Sequence, residues 1–451
     1  MSKSNRWKKT LGITLFAFVI VLDAGCASIQ TEPQSTTESH PKGTASETTP
    51  DIVGRGRRIS RSTSPSPISP AALLALDDEA VPDLQIHIFA NDQADSMLII
   101  GPPPTYRSIL VDAGEPVVGA KNKAEQILQR VKSLTGGTHV NYVLISHFHL
   151  DHAGTPGDGP CHPPGRTQSP TGIFALFDGI YGPFTTDTLF DPGDDDQNYI
   201  PANNVVHCGI KNDAPGWIQS GKIHNRATPA LGTSAIDLGP SVSTEVLAVS
   251  GRVRPDENSY MDQVAASNSN LYSESQPASE NDRSIAFQIS LGDFDFFSGG
   301  DLTGSPLGHE GDPYDVRSFG SNATVYTNVE SHLVQYWKSI GRKSDVEVYR
   351  ADHHGSGHSS NADLAGELRP QVVVFSCGTN NYGHPDKGTV GEFRDMGAAE
   401  LVTSGFDPQM WPNGLDPTVN LVRGDIDILV WDKGARFSVN GQMYQSHAHH
   451  Q

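Results

Sequence analysis

The stretch that decides the fold is His147-Phe148-His149-Leu150-Asp151-His152, which follows the apolar run Val140 to Ile145. The apolar run predicts a buried strand, so three imidazoles and a carboxylate stand where that strand ends. Imidazole nitrogens and carboxylate oxygens are the usual protein ligands of zinc and similar divalent ions. On an extended segment the first two imidazoles and the carboxylate would share one face, because side chains alternate. A tight turn at Asp151-His152 would then direct the last two groups at a second ion, which indicates a two-metal hydrolytic centre.

Three other segments accompany this run in a fixed order along the chain. They are Ile109-Leu110-Val111-Asp112-Ala113-Gly114, Phe296-Phe297-Ser298-Gly299-Gly300-Asp301-Leu302 and Ala351-Asp352-His353-His354-Gly355-Ser356. Together with the H-x-H-x-D-H run, they resemble the metallo-β-lactamase superfamily over roughly residues 84–432. The resemblance implies an α/β fold, a four-layer αββα sandwich. Strand-like and helical patterns alternate in two similar halves of the chain, as that architecture requires.

Three details narrow the resemblance to the hydrolase domain of competence proteins that import DNA, the ComEC/Rec2-like group. These are Asn91-Asp92-Gln93-Ala94-Asp95-Ser96, Asn281-Asp282-Arg283-Ser284, and Ser376-Cys377-Gly378 with Asn381-Tyr382-Gly383-His384-Pro385. The first segment departs from that group's G-Q-G-D-[SA] pattern, because Asp92 and Ala94 replace its two glycines.

The superfamily pattern assigns the ligands of the six-residue run. His147 and His149 would bind a first metal, and Asp151 and His152 a second. Many members supply a third imidazole to the first metal from a separate loop, and this chain has no matching segment. His207 is placed for that role, but the residues around it do not follow the family pattern.

The later segments complete the expected site. Asp301 would bridge both metals, and one of His353 and His354 would complete the second. We favour His353 as the ligand, since it lies nearer the strand end, with His354 facing substrate, although the order could be reversed. His384 either donates a proton to a leaving oxygen or caps a turn beside Pro385.

The same pattern gives the expected chemistry. Two bound ions lower the pKa of a shared water and polarise the attacked centre, with Asp151, Asp301, His354 and His384 as the catalytic set. Zinc suits the histidine-rich donors, and manganese is the alternative if the first site lacks its third imidazole. Asp112 would orient His147 or His149 by a hydrogen bond.

These features predict a hydrolase that uses a metal-activated hydroxide on phosphodiester bonds. The first alternative keeps the site but changes the bond, to a carboxylic ester, a lactone or a β-lactam. A second alternative is a surface binding protein that has lost activity.

The net charge of the chain limits the molecules that it can bind. The chain has a formal charge of −20, and residues 1–25 hold four basic residues and one acidic residue, so the remainder carries −23. Such a surface repels polyanions and argues against tight nucleic-acid binding. A small-molecule or polymeric phosphodiester is still a possible substrate, because bound metals and nearby cations reverse the field inside a cleft.

The amino terminus predicts export. Residues 1–25 have a basic head and a short apolar core, which is typical of a signal peptide. Leu22-Asp23-Ala24-Gly25-Cys26 resembles a bacterial lipoprotein box, so Cys26 is the expected acylation site and membrane anchor. An ordinary signal peptide cut nearby is the alternative. Either way we expect an exported protein, periplasmic, extracellular or anchored.

The rest of the chain divides by composition. Residues 26–82 are rich in Ser, Thr and Pro and predict a disordered tether. Residues 83–441 form the hydrolase domain, with a loop-rich insertion over about 155–280, and residues 442–451 form a flexible tail. Cys161 and Cys208 fall in the insertion, and an oxidising compartment would permit but not require their pairing.

Overall fold

The computed structural model of the chain describes nine ranges of residues. They are 81–115, 123–161, 169–194, 204–233, 235–253, 279–304, 317–318, 325–326 and 328–447. The predicted signal peptide, Cys26 and all but the end of the tether lie outside these ranges, as do residues 448–451 of the tail. Their assignments stay predictions.

The secondary structure of the described residues is mostly strand. The strands are β1 (Leu84–Ile88), β2 (Met97–Ile100), β3 (Ser108–Val111), β4 (His139–Leu144), β5 (Thr185–Phe190), β6 (Ile223–Ala227), β7 (Val242–Val249), β8 (Arg252–Val253), β9 (Ala286–Leu291), β10 (Phe294–Ser298), β11 (Arg317–Ser318), β12 (Val325–Tyr326), β13 (Val348–Arg350), β14 (Val372–Phe375), β15 (Glu400–Thr403), β16 (Val419–Leu421), β17 (Ile426–Trp431), β18 (Arg436–Val439) and β19 (Gln442–Gln445). The helices are α1 (Ala124–Thr135), α2 (Leu150–Ala153), α3 (Gly172–Asp178), α4 (Val205–Gln219), α5 (Val329–Ser339), α6 (Ala362–Leu368) and α7 (Lys387–Met396).

Nearly all of these strands belong to two large mixed sheets. The first sheet has the order β19-β18-β17-β1-β2-β3-β4-β5-β6, and the second has the order β16-β15-β14-β13-β10-β9-β7-β8. In the first sheet, β3 to β6 run parallel. In the second, β10, β13, β14, β15 and β16 run parallel.

Alternating side chains divide the apolar residues into three cores. On β14, Val372 and Val374 face a core between the two sheets, whereas Val373 faces the helices outside the second sheet. The outer core of the first sheet contains the buried side of α1, α3 and α4, and that of the second contains α5, α6 and α7. The layers are therefore helix, sheet, sheet, helix, which confirms the predicted αββα sandwich.

Local signals in the sequence explain where several helices begin and end. Helix α1 ends at Gly136, whose φ of 76° is left-handed and favours glycine. Helix α5 begins after Asn328, whose side chain accepts a hydrogen bond from the Ser331 N–H. Helix α7 begins after Asp386, which accepts from two backbone N–H groups. No helix among the described residues is both long enough and apolar enough to span a bilayer.

The parallel strands determine where polar side chains collect. The carboxyl ends of parallel strands lie at one edge of a sheet, and ligand sites form outside that edge. The six-residue run follows β4, Asp112 follows β3, Asp301 follows β10, and His353 and His354 follow β13. Both sheets therefore present the predicted metal-ligand segments at the carboxyl ends of their strands.

The region expected to be a loop-rich insertion differs from that prediction. Within residues 155–280 the structure places α3, β5, α4, β6, β7 and β8, which extend both sheets and cover the first. The sequence did not reveal these elements because they carry polar residues at their exposed positions and Gly or Pro near their ends. Even α4 contains a proline, Pro215. Cys161 and Cys208 form a disulfide, with Cα atoms 5.6 Å apart.

The first part of the expected flexible tail is also ordered. Residues Gln442–Gln445 form β19, which pairs antiparallel with β18. Tyr444 stacks on Phe437 with ring centroids 5.0 Å apart, so an apolar contact holds this strand to the sheet. The first sheet therefore extends beyond residue 441, where the tail was predicted to begin.

Candidate metal centre

Two groups of potential metal ligands lie side by side at the carboxyl ends of the parallel strands. The first group consists of His147, His149 and Asp301. The second consists of Asp95, His152, Asp301 and His354. Within each group, one ligand atom from every residue lies within 4.8 Å of the others. Asp301 belongs to both groups, which is the position that a bridging carboxylate requires.

Four imidazoles surround the Asp301 carboxylate. Its Oδ2 atom lies 3.2 Å from His152 Nε2 and 3.7 Å from His354 Nε2. The same oxygen lies 3.8 Å from the Nε2 atoms of His147 and His353. The structure therefore brings together residues from β4, β10 and β13 that are far apart in sequence.

The six-residue run does not continue as the extended segment that alternation predicted. A single helical turn, α2, begins at Leu150 directly after His149. Backbone hydrogen bonds hold this turn in place, from Asp95 N–H to Asp151 O and from Ala113 N–H to His152 O, each 2.8 Å long. The helical turn redirects the last two side chains, as the sequence argument required.

Asp112 orients His152, whereas the sequence predicted that it would orient His147 or His149. Its Oδ2 atom lies 2.8 Å from His152 Nδ1, and the carboxylate also accepts from the N–H and hydroxyl of Ser146. Because Asp112 holds Nδ1, Nε2 is the His152 nitrogen that is directed at Asp301. Both Asp112 and His152 are buried.

The second ligand group contains His354 instead of the favoured His353. His354 Nδ1 lies 2.8 Å from the Ser376 carbonyl, so its Nε2 faces the site and lies 3.5 Å from Asp151 Oδ2. His353 has its ring nitrogens near the Asn281 amide, at 3.4 and 3.5 Å. The two adjacent rings lie apart because His353 and His354 both have positive φ, so the backbone turns sharply between them.

Asp95 is the member of the group that the sequence did not identify as a site residue. Its Oδ1 accepts from the Ser376 hydroxyl at 2.6 Å, and its carboxylate forms a buried ion pair with Arg350. Its shortest contacts with His152 and His354 are to their Nδ1 atoms, at 3.7 and 3.8 Å. Asp95 therefore approaches both rings from the side opposite Asp301.

Two other predicted site residues, Asp151 and His384, lie beside the two ligand groups. Asp151 contacts His354 but falls outside the four-residue group. The His384 ring lies 5.2 Å from the His353 ring, while its backbone N–H and carbonyl both bond the Asn380 side chain. His384 thus belongs to a turn and also faces the histidine cluster.

His207 is in neither ligand group. It lies on α4, and its Nε2 atom is 2.8 Å from Asp194 Oδ1. Asp194 is also paired with Arg226, which bonds Asp191 as well. The third imidazole of the first metal is therefore not supplied by His207 in this arrangement.

Small and hydroxyl side chains hold the Asp301 turn. The Ser284 hydroxyl accepts from the Asp301 N–H at 3.0 Å, which gives the Asn281–Ser284 segment a structural role. Gly300 has a φ of 64°, and a Cβ there would meet Ser146 and Ser284 at 3.1 Å. Glycine is required because the turn is left-handed and tightly packed.

The ionisable side chains of the two ligand groups shift one another's pKa values. Burial favours a higher pKa for the Asp301 carboxyl, but the neighbouring His152, His354 and His353 imidazoles hold that pKa well below its usual range. Burial also lowers the pKa of His147 well below its usual value, and the charge of His152 lowers it further. An ionised Asp301 and a neutral His147 are the forms that bind metal.

The ligand groups fit divalent ions, because several of their buried polar atoms lack a hydrogen-bond partner in the part of the chain that the structure describes. Three buried atoms within the second group have no hydrogen-bond partner among the described residues. They are His152 Nε2, Asp301 Oδ1 and His354 Nε2. Buried polar atoms without partners are costly, and a cation contacting them would satisfy them. Nitrogen donors with few carboxylates suit zinc, and manganese is the alternative.

Replacing Asp112 with Asn should lower metal affinity about 10- to 100-fold, because His152 loses the carboxylate that fixes its ring. The amide keeps the shape of the side chain and tests the charge alone. Metal titration followed by fluorescence or calorimetry measures the change. Unchanged affinity would show that Asp112 has no part in orienting His152.

No protein-family profile matches the sequence, and no curated protein is similar to it. A new diphosphatase from the PhnP family is 7% identical, and the match covers 77% of this chain and 99% of that one, with a TM-score of 0.33. The metallo-β-lactamase fold protein YhfI from Bacillus subtilis is 11% identical over 71% and 95% of the two chains, with a TM-score of 0.34.

A third solved structure adds a metal-bound example. Zn²⁺-bound PqqB from Methylobacterium extorquens is 12% identical, and the match covers 72% of this chain and 98% of that one, with a TM-score of 0.36. Structural similarities this weak do not indicate the activity of this chain. The sandwich is established by the strand order and layers of this chain itself, and the competence-type branch stays a prediction.

Proposed function

We propose that this protein is a metal-dependent hydrolase that cleaves phosphodiester bonds. The observation that carries the proposal is the buried Asp301 carboxylate shared by two ligand groups, with imidazoles on both sides. Two ions about 3.5–4 Å apart lower the pKa of a shared water and stabilise both the attacking and the leaving oxygen of an in-line displacement. The resemblance to the competence-type branch supports the same substrate class.

The residues of the chain have separate tasks in this proposal. Asp301, His147 and His149 would hold one ion, and His152, His354 and Asp301 the other, with Asp151 at its edge. Asp112 and the Ser376 carbonyl fix the Nδ1 protons of their rings, so that Nε2 binds metal. Hydrolysis adds one water across the P–O bond and gives a phosphomonoester and an alcohol.

His384 is placed to contact substrate but not to carry a charge. Burial lowers its pKa well below the usual value, and the neighbouring His353 and His354 lower it further. The neutral ring can hydrogen-bond a substrate oxygen near neutral pH. This environment disfavours the role of proton donor to the leaving group.

The test is a substrate comparison with protein stripped of metal and reloaded with Zn²⁺ or Mn²⁺. We expect turnover of bis(4-nitrophenyl) phosphate that is lost on chelation and restored by metal. We expect slower turnover of a chromogenic cephalosporin, because the two-metal arrangement suits phosphorus displacement. We also expect slower turnover of 4-nitrophenyl phosphate, because the proposed substrate is a diester.

Two outcomes would overturn the proposal. Faster turnover of the cephalosporin than of the diester would favour a carbonyl substrate at the same site. Protein that binds no metal and hydrolyses none of the three would favour the inactive binding protein. The metal content of each sample, measured by mass spectrometry, separates these cases.

A further inference from the structure

Phe148, the residue between the two histidines of the first ligand group, is held by contacts from outside the metal centre. Its N–H belongs to the peptide group that follows His147, and it donates to Glu280 Oε1 at 3.1 Å. Its carbonyl belongs to the peptide group that precedes His149, and it accepts from Asn204 Nδ2 at 3.2 Å. Both peptide groups between the two histidines are therefore fixed by side chains that are distant in sequence.

The aromatic ring of Phe148 is held as well. It is buried in the outer core of the first sheet, and its centroid lies 5.1 Å from that of the His207 ring. The His207 Nε2 atom in turn lies 2.8 Å from Asp194 Oδ1. His207, which is in neither ligand group, thus packs against the residue that joins two of the ligands.

The Asn204 side chain connects the start of α4 to the first ligand group. It caps this helix, because its Oδ1 accepts from the His207 N–H at 3.0 Å. Since Oδ1 faces a backbone donor, Nδ2 is the atom that faces the Phe148 carbonyl. A carboxylate could accept as a helix cap, but it has no N–H to donate to that carbonyl. The amide is therefore required for both contacts.

Helix α4 depends on contacts with other segments for its position. Pro215 lies inside the helix and removes one of its hydrogen bonds, and Gly209 and Gly216 have low helix propensity. A Cβ on Gly209 would meet Pro156 and Phe174 at 2.8 Å. The first half of α4 therefore packs directly against the chain that follows α2 and against α3.

The disulfide between Cys161 and Cys208 joins α4 covalently to the chain that follows α2. Cys208 follows His207, and its N–H donates to the Asn204 carbonyl at 3.0 Å, so the cross-link lies one helical turn from the cap. It limits how far the first turn of α4 can move from the H-x-H run. The export predicted from the amino terminus would place the chain where such a bond forms.

We propose that Asn204 is a positioning residue for the first metal site, and that the Cys161–Cys208 disulfide holds it in place. The hydrogen bond to the Phe148 carbonyl fixes the backbone between the two histidines, so that both imidazoles are preorganised for one ion. Metal binding by the first group then depends on the disulfide, whereas binding by the second group does not. This inference rests on the proposed two-metal hydrolase and specifies how its site is regulated.

The experiment titrates oxidised, metal-free protein with Co²⁺ and follows the visible absorbance that each bound ion contributes. Wild-type protein should bind two ions. Asn204→Asp should bind one of them about 10- to 100-fold more weakly, the effect of losing a group that orients ligands, and should keep the other. By charge alone a new carboxylate would tighten cation binding, so weaker binding reports the lost N–H. Asp caps helices as well as Asn does, and circular dichroism should show an intact fold.

A second variant removes the disulfide without leaving thiols there that could bind Co²⁺. Cys161→Ser combined with Cys208→Ser should weaken the same ion. Adding Asn204→Asp to this variant should have little further effect, because both changes act through one hydrogen bond. The matched control is Asn225→Asp, the same amide-to-carboxylate change at an exposed position of β6, which should bind both ions like the wild type.

The outcomes separate this inference from the proposed function. Two tightly bound ions in both Asn204→Asp and the double serine variant would refute the inference and leave the hydrolase proposal standing. A weakened ion in Asn204→Asp alone would refute the part assigned to the disulfide. Wild-type protein that binds fewer than two Co²⁺ ions would refute the two-metal proposal itself, and this inference with it.

Discussion

Replacing Asp301 with Asn should lower kcat/KM for bis(4-nitrophenyl) phosphate by at least about 10³-fold and reduce bound metal from about two ions per chain to one or none. The carboxylate is shared by both ligand groups, and its Oδ2 lies within 3.8 Å of four imidazole nitrogens. An amide offers one neutral oxygen, so it cannot balance the charge of two cations. Turnover and metal content are measured on the same sample.

The substitution is designed to leave the fold intact. Asn has the volume of Asp, and the backbone N–H at this position would still donate to Ser284. Asp395→Asn is the control, because that side chain is 74% exposed. Circular dichroism should show that both variants are folded. An Asp301→Asn protein that keeps two metals and full turnover would show that this carboxylate is no bridge.

The parts of this site that the sequence predicts are those encoded by short local patterns. The six-residue run contains four polar ligands directly after an apolar strand, which is hard to explain by structure alone. Asp301 follows an apolar strand as well, and the apolar residues of both strands predict that these strands are buried in sheets. Because parallel strands end at one edge, the order of these segments also predicts that they meet.

Asp95 shows what such patterns cannot reveal. Its hydroxyl partner Ser376 is 281 positions away in sequence, and its cationic partner Arg350 lies on β13. Nothing within a few residues of Asp95 specifies either contact. The one signal in the sequence was its position at the Asp of the G-Q-G-D-[SA] pattern, which assigned it no role, so the fold was needed to identify it. The partner of Asp112 was mispredicted for a related reason, because α2 turns His152 toward it, whereas an extended segment would present His147 or His149.

Part of the middle of the chain escaped prediction because its strand β5 is polar. In β5 the sequence Thr-Thr-Asp-Thr-Leu-Phe has only two apolar residues, yet Thr186 is buried and Leu189 and Phe190 join cores. Pairing with β4 and β6 on both sides supplies the stability that its composition does not indicate. Tertiary context therefore overrides local propensity here.

Replacing His354 with Ala should remove one metal and lower kcat/KM about 10³-fold, whereas His353→Ala should keep both metals and lower it no more than about 10-fold. The reason lies in the Nδ1 contact of His354 with the Ser376 carbonyl, which leaves Nε2 as the ligand atom. His353 instead has the Asn281 amide beside its ring nitrogens, and it lies outside the four-residue group. Metal content and steady-state kinetics of the two variants measure the difference.

The two variants control for each other, because they are adjacent, equally drastic and share the same left-handed turn. Any loss caused by disturbing that turn should appear in both, so only the difference between them reports ligation. The opposite result, metal lost from His353→Ala and kept by His354→Ala, would restore the assignment that strand proximity favoured. That result would need no large rearrangement, since His353 Nε2 is already 3.8 Å from Asp301 Oδ2, as far as the Nε2 atom of His147.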